Sequence, residues 1–418
     1  MICIKKKDKK LLSKIFKNKY YNLPKSNGIT LSEPIFDYDE YLNFNDVFIS
    51  RKFSQGSRVK NFEKNFAKYI GYNYAVATNS GSSANLIALE ALIKKYKIKR
   101  GSEVIIPAST FATVAMPIIQ LGLVPVYVDI CYETLNIDTS QIEGAISKKT
   151  KIIMPVHTLG LPCNMSQIVK IAKKRNLIIF EDCCEAHGAS INKKKVGSYG
   201  KLSAFSFYVA HNITTIEGGM VLTNDKSLYL KLQSLREFGR IKNYKKRYYS
   251  FKKLKDYDVN YVFDTIGYNL RMSEIQAALG LSQLKKLNKF NTKRNLNAQK
   301  IKKIIKNYSD FIFTTKDISK YYNSYYTFPI IIKNNVNFSR KEICNFLNKH
   351  NIQTRPMMGG CLPDQPAFNK QPGRSFGNLK ISRVIRDKCF FIGVHPMINN
   401  ENLELLKKVL SKFFNERK

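Results

Sequence analysis

The sequence has no CxxC pair and no zinc-ligand spacing: its eight cysteines are scattered, and only Cys183 and Cys184 are adjacent. This pattern argues against a disulfide framework and a structural zinc site, and it fits a reduced, cytoplasmic setting. Acidic residues are scarce, 31 against 70 lysines and arginines, for a formal net charge of +39. The excess is spread through almost every segment rather than gathered into one basic groove, so nucleic acid is not an expected partner. A diffuse positive field still favours a doubly phosphorylated small molecule.

Apolar runs long enough to cross a bilayer are also missing. The stretch from Ile105 to Val128 has no charged residue, but Pro107, Pro117 and Pro125 interrupt it. It reads as strand, loop, core helix and strand, not as a transmembrane segment. No apolar region with a small-residue cleavage site marks a secretory signal. The first twenty residues instead carry Lys5-Lys6-Lys7 and Lys9-Lys10. They read as a solvated, partly disordered tail or as a basic amphipathic helix at a membrane surface. There is no internal repeat and no low-complexity linker.

What is present is 44% hydrophobic residues in 418, enough to fill a large domain and a smaller one. From about residue 46 to 235 strand-like and helical segments alternate, as a wound sheet covered on both faces requires. Strands are predicted over 74–78, 103–106, 124–129, 151–156 and 177–182, and helices from 81, over 114–121 and over 165–175. The strands are near-continuous apolar runs, the mark of a sheet buried on both sides. A long helical segment, with breaks, is predicted from about 272 to 305. A strand over 325–332 and helices over 340–350 and 401–414 suggest a smaller α+β unit. The division expected is a basic extension over 1–45, a large α/β domain over 46–305 and a small domain over 306–418.

Several residues stand where chemistry is done. Asp182 ends an apolar strand, at the carboxyl edge where open α/β sheets bind ligands; alone, it reads rather as a cap for a following helix. Gly81 and Ser82 open a helix after a strand, where free N–H groups and the helix dipole suit a phosphate, although Ser82 alone reads as an N-cap. His211 lies in Phe205-Ser206-Phe207-Tyr208-Val209-Ala210-His211-Asn212-Ile213-Thr214, followed by Glu217-Gly218-Gly219. A lone histidine there reads as a core residue or as a proton carrier.

Together with Ser80-Gly81-Ser82-Ser83-Ala84-Asn85-Leu86, Val156-His157-Thr158-Leu159-Gly160, Glu181-Asp182-Cys183-Cys184-Glu185-Ala186-His187-Gly188 and Gly267-Tyr268-Asn269, these stretches resemble the DegT/StrS family. Its members are fold type I pyridoxal-phosphate enzymes acting on nucleotide-linked keto sugars. The resemblance implies a mixed, mostly parallel sheet flanked by helices, with a smaller C-terminal α+β domain. It places Asp182 against the cofactor's pyridine nitrogen and Gly81, Ser82 and Ser206 around its phosphate. Phe111 would stack on the ring and Glu185 would support the ring or Asp182. Asn269 would reach the phosphate of a neighbouring subunit, which implies a homodimer with shared active sites. Arg355, in Arg355-Pro356-Met357-Met358-Gly359-Gly360, would contact substrate.

His211 occupies the position of the family's Schiff-base lysine, as in its subgroup of 3-dehydratases. A lysine amine can hold pyridoxal phosphate covalently, whereas an imidazole moves protons. The expected activity is therefore dehydration at C3 of a nucleotide-linked 4-keto-6-deoxyhexose, with His211 as base. Pyridoxal or pyridoxamine phosphate would be the cofactor and L-glutamate the amino donor. An aminotransferase, or a noncatalytic member of the fold, is the alternative. The cysteine-rich insert by which one branch holds an iron–sulfur cluster has its counterpart over Arg236–Tyr261, which lacks cysteine, so no cluster is expected. The Lys245-Lys246-Arg247-Tyr248-Tyr249 run within it reads as a border to the nucleotide diphosphate or as a solvated loop.

Overall fold

The computed structural model describes residues 11, 13, 14, 27–241 and 257–416. The reading of the basic tail therefore falls mostly outside the described residues, and that of residues 245–249 wholly so.

Two short helices precede the first strand, α1 (Tyr38–Ser50) and α2 (Ser57–Ile70). The wound segment follows in the order β1 (Tyr74–Thr78), α3 (Gly81–Tyr96), β2 (Glu103–Pro107), α4 (Ala112–Gln120), β3 (Val124–Val128), α5 (Thr139–Ala145), β4 (Thr150–Ile153), α6 (Met165–Arg175) and β5 (Ile178–Asp182). Next come β6 (Ser190–Ile191), β7 (Lys194–Lys195), β8 (Leu202–Ser206), β9 (Gly219–Thr223), α7 (Lys226–Arg236) and α8 (Glu274–Lys306). The remainder is β10 (Ile312–Phe313), β11 (Tyr321–Tyr322), β12 (Phe328–Ile332), α9 (Arg340–Lys349), β13 (Thr354–Pro356), β14 (Arg374–Ser375), α10 (Lys380–Lys388), β15 (Cys389–Ile392) and α11 (Asn400–Asn415).

Eight strands form the main sheet in the order β1-β9-β8-β5-β4-β2-β3-β14. All its pairings are parallel except the two that β9 makes with β8 and β1. β1 therefore runs in the same direction as β8, so the carboxyl ends of β1, β2, β4, β5 and β8 open on one edge. The outer edge of β1 is blocked by an ion pair. Arg236 donates to Glu63 at 2.6 Å and to the Ala77 carbonyl at 2.9 Å, while Glu63 accepts the Ala77 N–H at 2.9 Å. Satisfying that edge internally removes a template for strand addition.

A four-stranded sheet, β10-β12-β15-β13, carries the C-terminal core of Phe328, Ile330, Phe390, Ile392, Leu406 and Phe413, which Ile29 joins from the N-terminal side. Among the described residues no helix is long and apolar enough to cross a membrane.

Two elements depart from the sequence reading. The helix expected to break is continuous over 33 residues. A Ser273/Gln276 capping box starts it, it contains no proline, and its lone glycine, Gly280, packs so close to Phe62 that a Cβ would lie 2.6 Å from the ring. The strand expected from residue 325 begins at Phe328. Tyr325 has φ 45°, a left-handed turn, and the Tyr326 N–H donates to the Leu159 carbonyl at 2.9 Å instead of to a strand. That turn brings Tyr326 to the main sheet's open edge.

Candidate active site

A cavity of about 320 Å³ opens at that edge, bounded by Gly81 and Ser82 after β1, Phe111 after β2, Asp182 and Glu185 after β5, and Ser206, Tyr208 and His211 after β8. Tyr326, Met357 and Met358 close it from the C-terminal part.

Asp182 is 4% exposed. Asn85 donates to its Oδ2 at 2.8 Å and the Cys184 N–H to its Oδ1 at 3.0 Å. No helix follows, so Asp182 is not a helix cap. Its carboxylate keeps lone pairs for a further donor, and its backbone is gripped on both sides: its N–H donates to the Pro155 carbonyl at 2.9 Å and its own carbonyl accepts from His157 at 3.0 Å. Behind it, Glu181 accepts from the N–H groups of Gly197, Tyr199 and Gly200, and His157 Nε2 lies 3.2 Å away. His157 Nδ1 accepts the Cys163 N–H, so Nε2 carries the proton and donates to Glu181. With Cys183 the pair would offer three metal ligands, but this carboxylate already takes four donors.

Ser80, not Ser82, caps α3, accepting from Ser83 N–H at 3.1 Å. The N–H groups of Gly81 and Ser82 meet no acceptor among the described residues. A Cβ on Gly81 would lie 2.5 Å from Ser206 Cβ. The helix N-terminus and Ser206 thus form one tight concavity with free donors, suited to an anion. Phe111 is 51% exposed, with its ring open to the cavity.

His211 enters on a turn in which its N–H donates to the Tyr208 carbonyl at 3.0 Å. Its Nδ1 is buried without a hydrogen-bond partner. The Tyr326 ring lies 4.9 Å from the imidazole, centroid to centroid, and the His187 ring 5.9 Å. His187 is fully buried among Phe66, Phe205 and Phe207, a packing position. Burial, aided by the nearby Arg294 guanidinium, pushes the His211 imidazole down to about 3. Glu185 moves the opposite way. Burial raises its carboxyl to about 8, against the lowering effect of the Leu159 N–H that donates at 2.6 Å, with the Asp182 charge adding to the rise.

Three imidazoles, those of the buried His187 and His395 and the half-buried His211, are all held below the ordinary histidine value by loss of solvent. Because the unfolded chain takes up protons at these positions from about pH 6.5 downward and the folded one does not, stability falls as pH drops through that window. The melting temperature is expected to decline steadily from pH 7 to pH 5 in a calorimetric series; a flat profile would contradict it.

Of the residues read from sequence, Gly81, Ser82, Phe111, Asp182, Glu185, Ser206 and His211 meet in this cavity. Asn269 and Arg355 do not border it. Asn269 is exposed, its Oδ1 accepting from Arg271 at 3.2 Å. Arg355 is exposed on β13 and donates to the adjacent Thr354 carbonyl at 3.1 Å. The sequence reading missed Asn85, Tyr326 and Arg294. Asn85 had a signal, a polar residue on the otherwise apolar buried face of its helix. Tyr326 and Arg294 had none, because a left-handed turn at Tyr325 and a guanidinium bound only to carbonyls leave no motif.

With this geometry in view, a profile of the DegT/DnrJ/EryC1/StrS aminotransferase family matches residues 34–411. The chain belongs to this family. It is 36% identical over 369 residues to the lipopolysaccharide biosynthesis protein RfbH of Salmonella typhimurium, covering 84% of each chain. To GDP-4-keto-6-deoxy-D-mannose 3-dehydratase of Yersinia pseudotuberculosis it is 34% identical over 387 residues, covering 91% of this chain and 98% of that one. A crystal structure of GDP-4-keto-6-deoxymannose-3-dehydratase with a trapped PLP-glutamate geminal diamine superposes with a TM-score of 0.83 at 31% identity, covering 92% of this chain and all of that one. The fold is that of these pyridoxal-phosphate enzymes, a mixed, mostly parallel sheet between helices.

Proposed function

We propose that this family member is a pyridoxamine-phosphate-dependent 3-dehydratase of a nucleotide-linked 4-keto-6-deoxyhexose, working in the cytoplasm, with L-glutamate as amino donor. The observation that carries the reading is His211: an imidazole borders the cavity, and no lysine does among the described residues.

The residues fit the cofactor. The Gly81–Ser82 N–H groups and Ser206 suit its phosphate, Asp182 its ring nitrogen and Phe111 its ring face. When bound, it supplies an amine that condenses with a ketone and a protonated ring that accepts electrons. The protein's share is to hold that ring and move protons. His211, kept uncharged at neutral pH by its burial, has a free imidazole nitrogen to accept one. Asp182 stays fixed by Asn85 and the Cys184 N–H, so its charge needs no rearrangement during the reaction.

The apolar surface beside Asn269 supports a second copy of the chain as the covering partner: Ile266 is 89% exposed and Phe263 51%. In that arrangement Asn269 serves the partner's phosphate site. Arg355 is retained as the proposed substrate contact outside the cavity mouth. The division into an extension over 1–45, a cofactor domain over 46–305 and a small domain over 306–418 is proposed with it. The core around Phe328 and Phe390 supports a separate C-terminal unit.

The test is product mass spectrometry after incubation with pyridoxal phosphate, L-glutamate and, in parallel, GDP- and CDP-4-keto-6-deoxyhexoses, with no reductase. A 3-deoxy-4-keto product is expected from one of them. A 4-amino product would make the protein an aminotransferase despite His211.

A further inference from the structure

Two titratable side chains of the cavity sit in opposite electrostatic surroundings. Among the described residues Glu185 has one hydrogen bond, from the Leu159 N–H to Oε2, and its other carboxyl oxygen has no partner. No cation lies within ion-pair reach of it among the described residues, and its charged neighbour is the Asp182 carboxylate. On the same cavity, His211 has an Nδ1 with no partner among the described residues, and its charged neighbour is a cation. That cation, Arg294 on α8, is 3% exposed and donates to the Tyr325 and Tyr326 carbonyls at 3.2 and 2.9 Å, with no carboxylate in ion-pair reach among the described residues. Tyr326 joins the two halves: Arg294 holds its carbonyl, its ring packs on His211, and its hydroxyl group belongs to the electrostatic surroundings of Glu185. Among the described residues the rings of Tyr208 and His187 also face His211.

We propose that Glu185 is the general acid of this site, giving its proton to the hydroxyl that leaves C3, and that His211 serves as the base alone. The proposal rests on the dehydratase reading above. The balance is simple. His211 gains the proton abstracted at the cofactor's C4′ carbon. The C3–O bond breaks, its electron pair leaves with oxygen, and the Glu185 proton completes a water molecule. Glu185 ends as a carboxylate and His211 as an imidazolium, and solvent returns both to their starting states. One cavity lined by both a carboxyl group that favours its neutral acid form and an imidazole that favours its neutral form is poised for this division at neutral pH.

Glu185→Gln tests it, since the amide oxygen still accepts the Leu159 N–H while the acidic proton is gone. In the protein without added cofactor, infrared difference spectra between parent and variant should contain a neutral carboxylic acid band at pH 7, fading as pH rises through about 8. In the loaded protein, the variant should keep exchange of the C4′ hydrogen with solvent, the step of His211, within about threefold of the parent. Release of water from the keto sugar should fall by ~100-fold or more, the usual scale of a positioned acid. The parent's own elimination rate should decline above about pH 8. Absence of the neutral band, elimination in Glu185→Gln within about threefold of the parent, or an equal loss of C4′ exchange would each overturn the proposal. A parent that exchanges the C4′ hydrogen yet releases no water from any keto sugar would instead overturn the dehydratase reading, and this proposal with it.

Discussion

A His211→Lys variant, incubated with pyridoxal phosphate and then borohydride, is expected to carry a stable cofactor adduct at position 211, whereas the parent treated in the same way carries none. Residue 211 borders the cavity that holds Asp182 and the Gly81–Ser206 concavity, so an amine placed there reaches the space where the cofactor's aldehyde would lie. The same burial that depresses the imidazole also favours an uncharged, nucleophilic lysine. With the cofactor captured, turnover of the keto sugar should fall by ~100-fold or more, because the base that moved the proton is gone. Peptide mass mapping locates the adduct. An adduct in the parent, or one at another lysine of the variant, would mean that the cavity is not where the cofactor reacts.

Asp182→Asn should be nearly as damaging and for a different reason. Asparagine fills the same volume and can still accept from the Cys184 N–H, but it carries no charge to hold a proton on a pyridine nitrogen. We expect loss of ~100- to 1000-fold in elimination, the range found when one preorganised electrostatic group is removed from an enclosed site. The bound cofactor's absorbance spectrum should shift towards that of the unprotonated ring. Titration of the variant with pyridoxamine phosphate separates weakened binding from a weakened electron sink. A variant with parental turnover would remove Asp182 from the chemistry.

The parts of the site that could be read in the sequence are those fixed by local chain geometry. Gly81, Ser82, Asp182 and Ser206 stand at strand ends, and a parallel sheet brings such ends to one edge whatever the details of packing. The apolar runs over 103–106 and 177–182 specified strands buried on both faces, and the structure places them within the main sheet. His211 was legible because its flanking residues fix its position in a known pattern. Less legible were features that depend on neighbours far along the chain. The residue pattern predicts breaks in the long helix, yet Gly280 is accommodated by close packing on Phe62. The residue pattern puts Tyr326 in a strand, yet contacts with Leu159, more than 160 residues away in sequence, and with Arg294, 32 residues away, pull it into a turn at the cavity.

The sequence by itself determined the alternation of strands and helices, the chemical types gathered at the sheet edge and the replacement of lysine by an imidazole, because periodicity, turn chemistry and residue identity are local properties. Only the tertiary structure decided the protonation of those groups. Whether Glu185 holds a proton and His211 lacks one depends on what is buried beside each: one backbone N–H and a carboxylate for the first, an arginine and an aromatic ring for the second. Burial withdraws the water that would otherwise level such differences, and burial is a property of the folded chain alone.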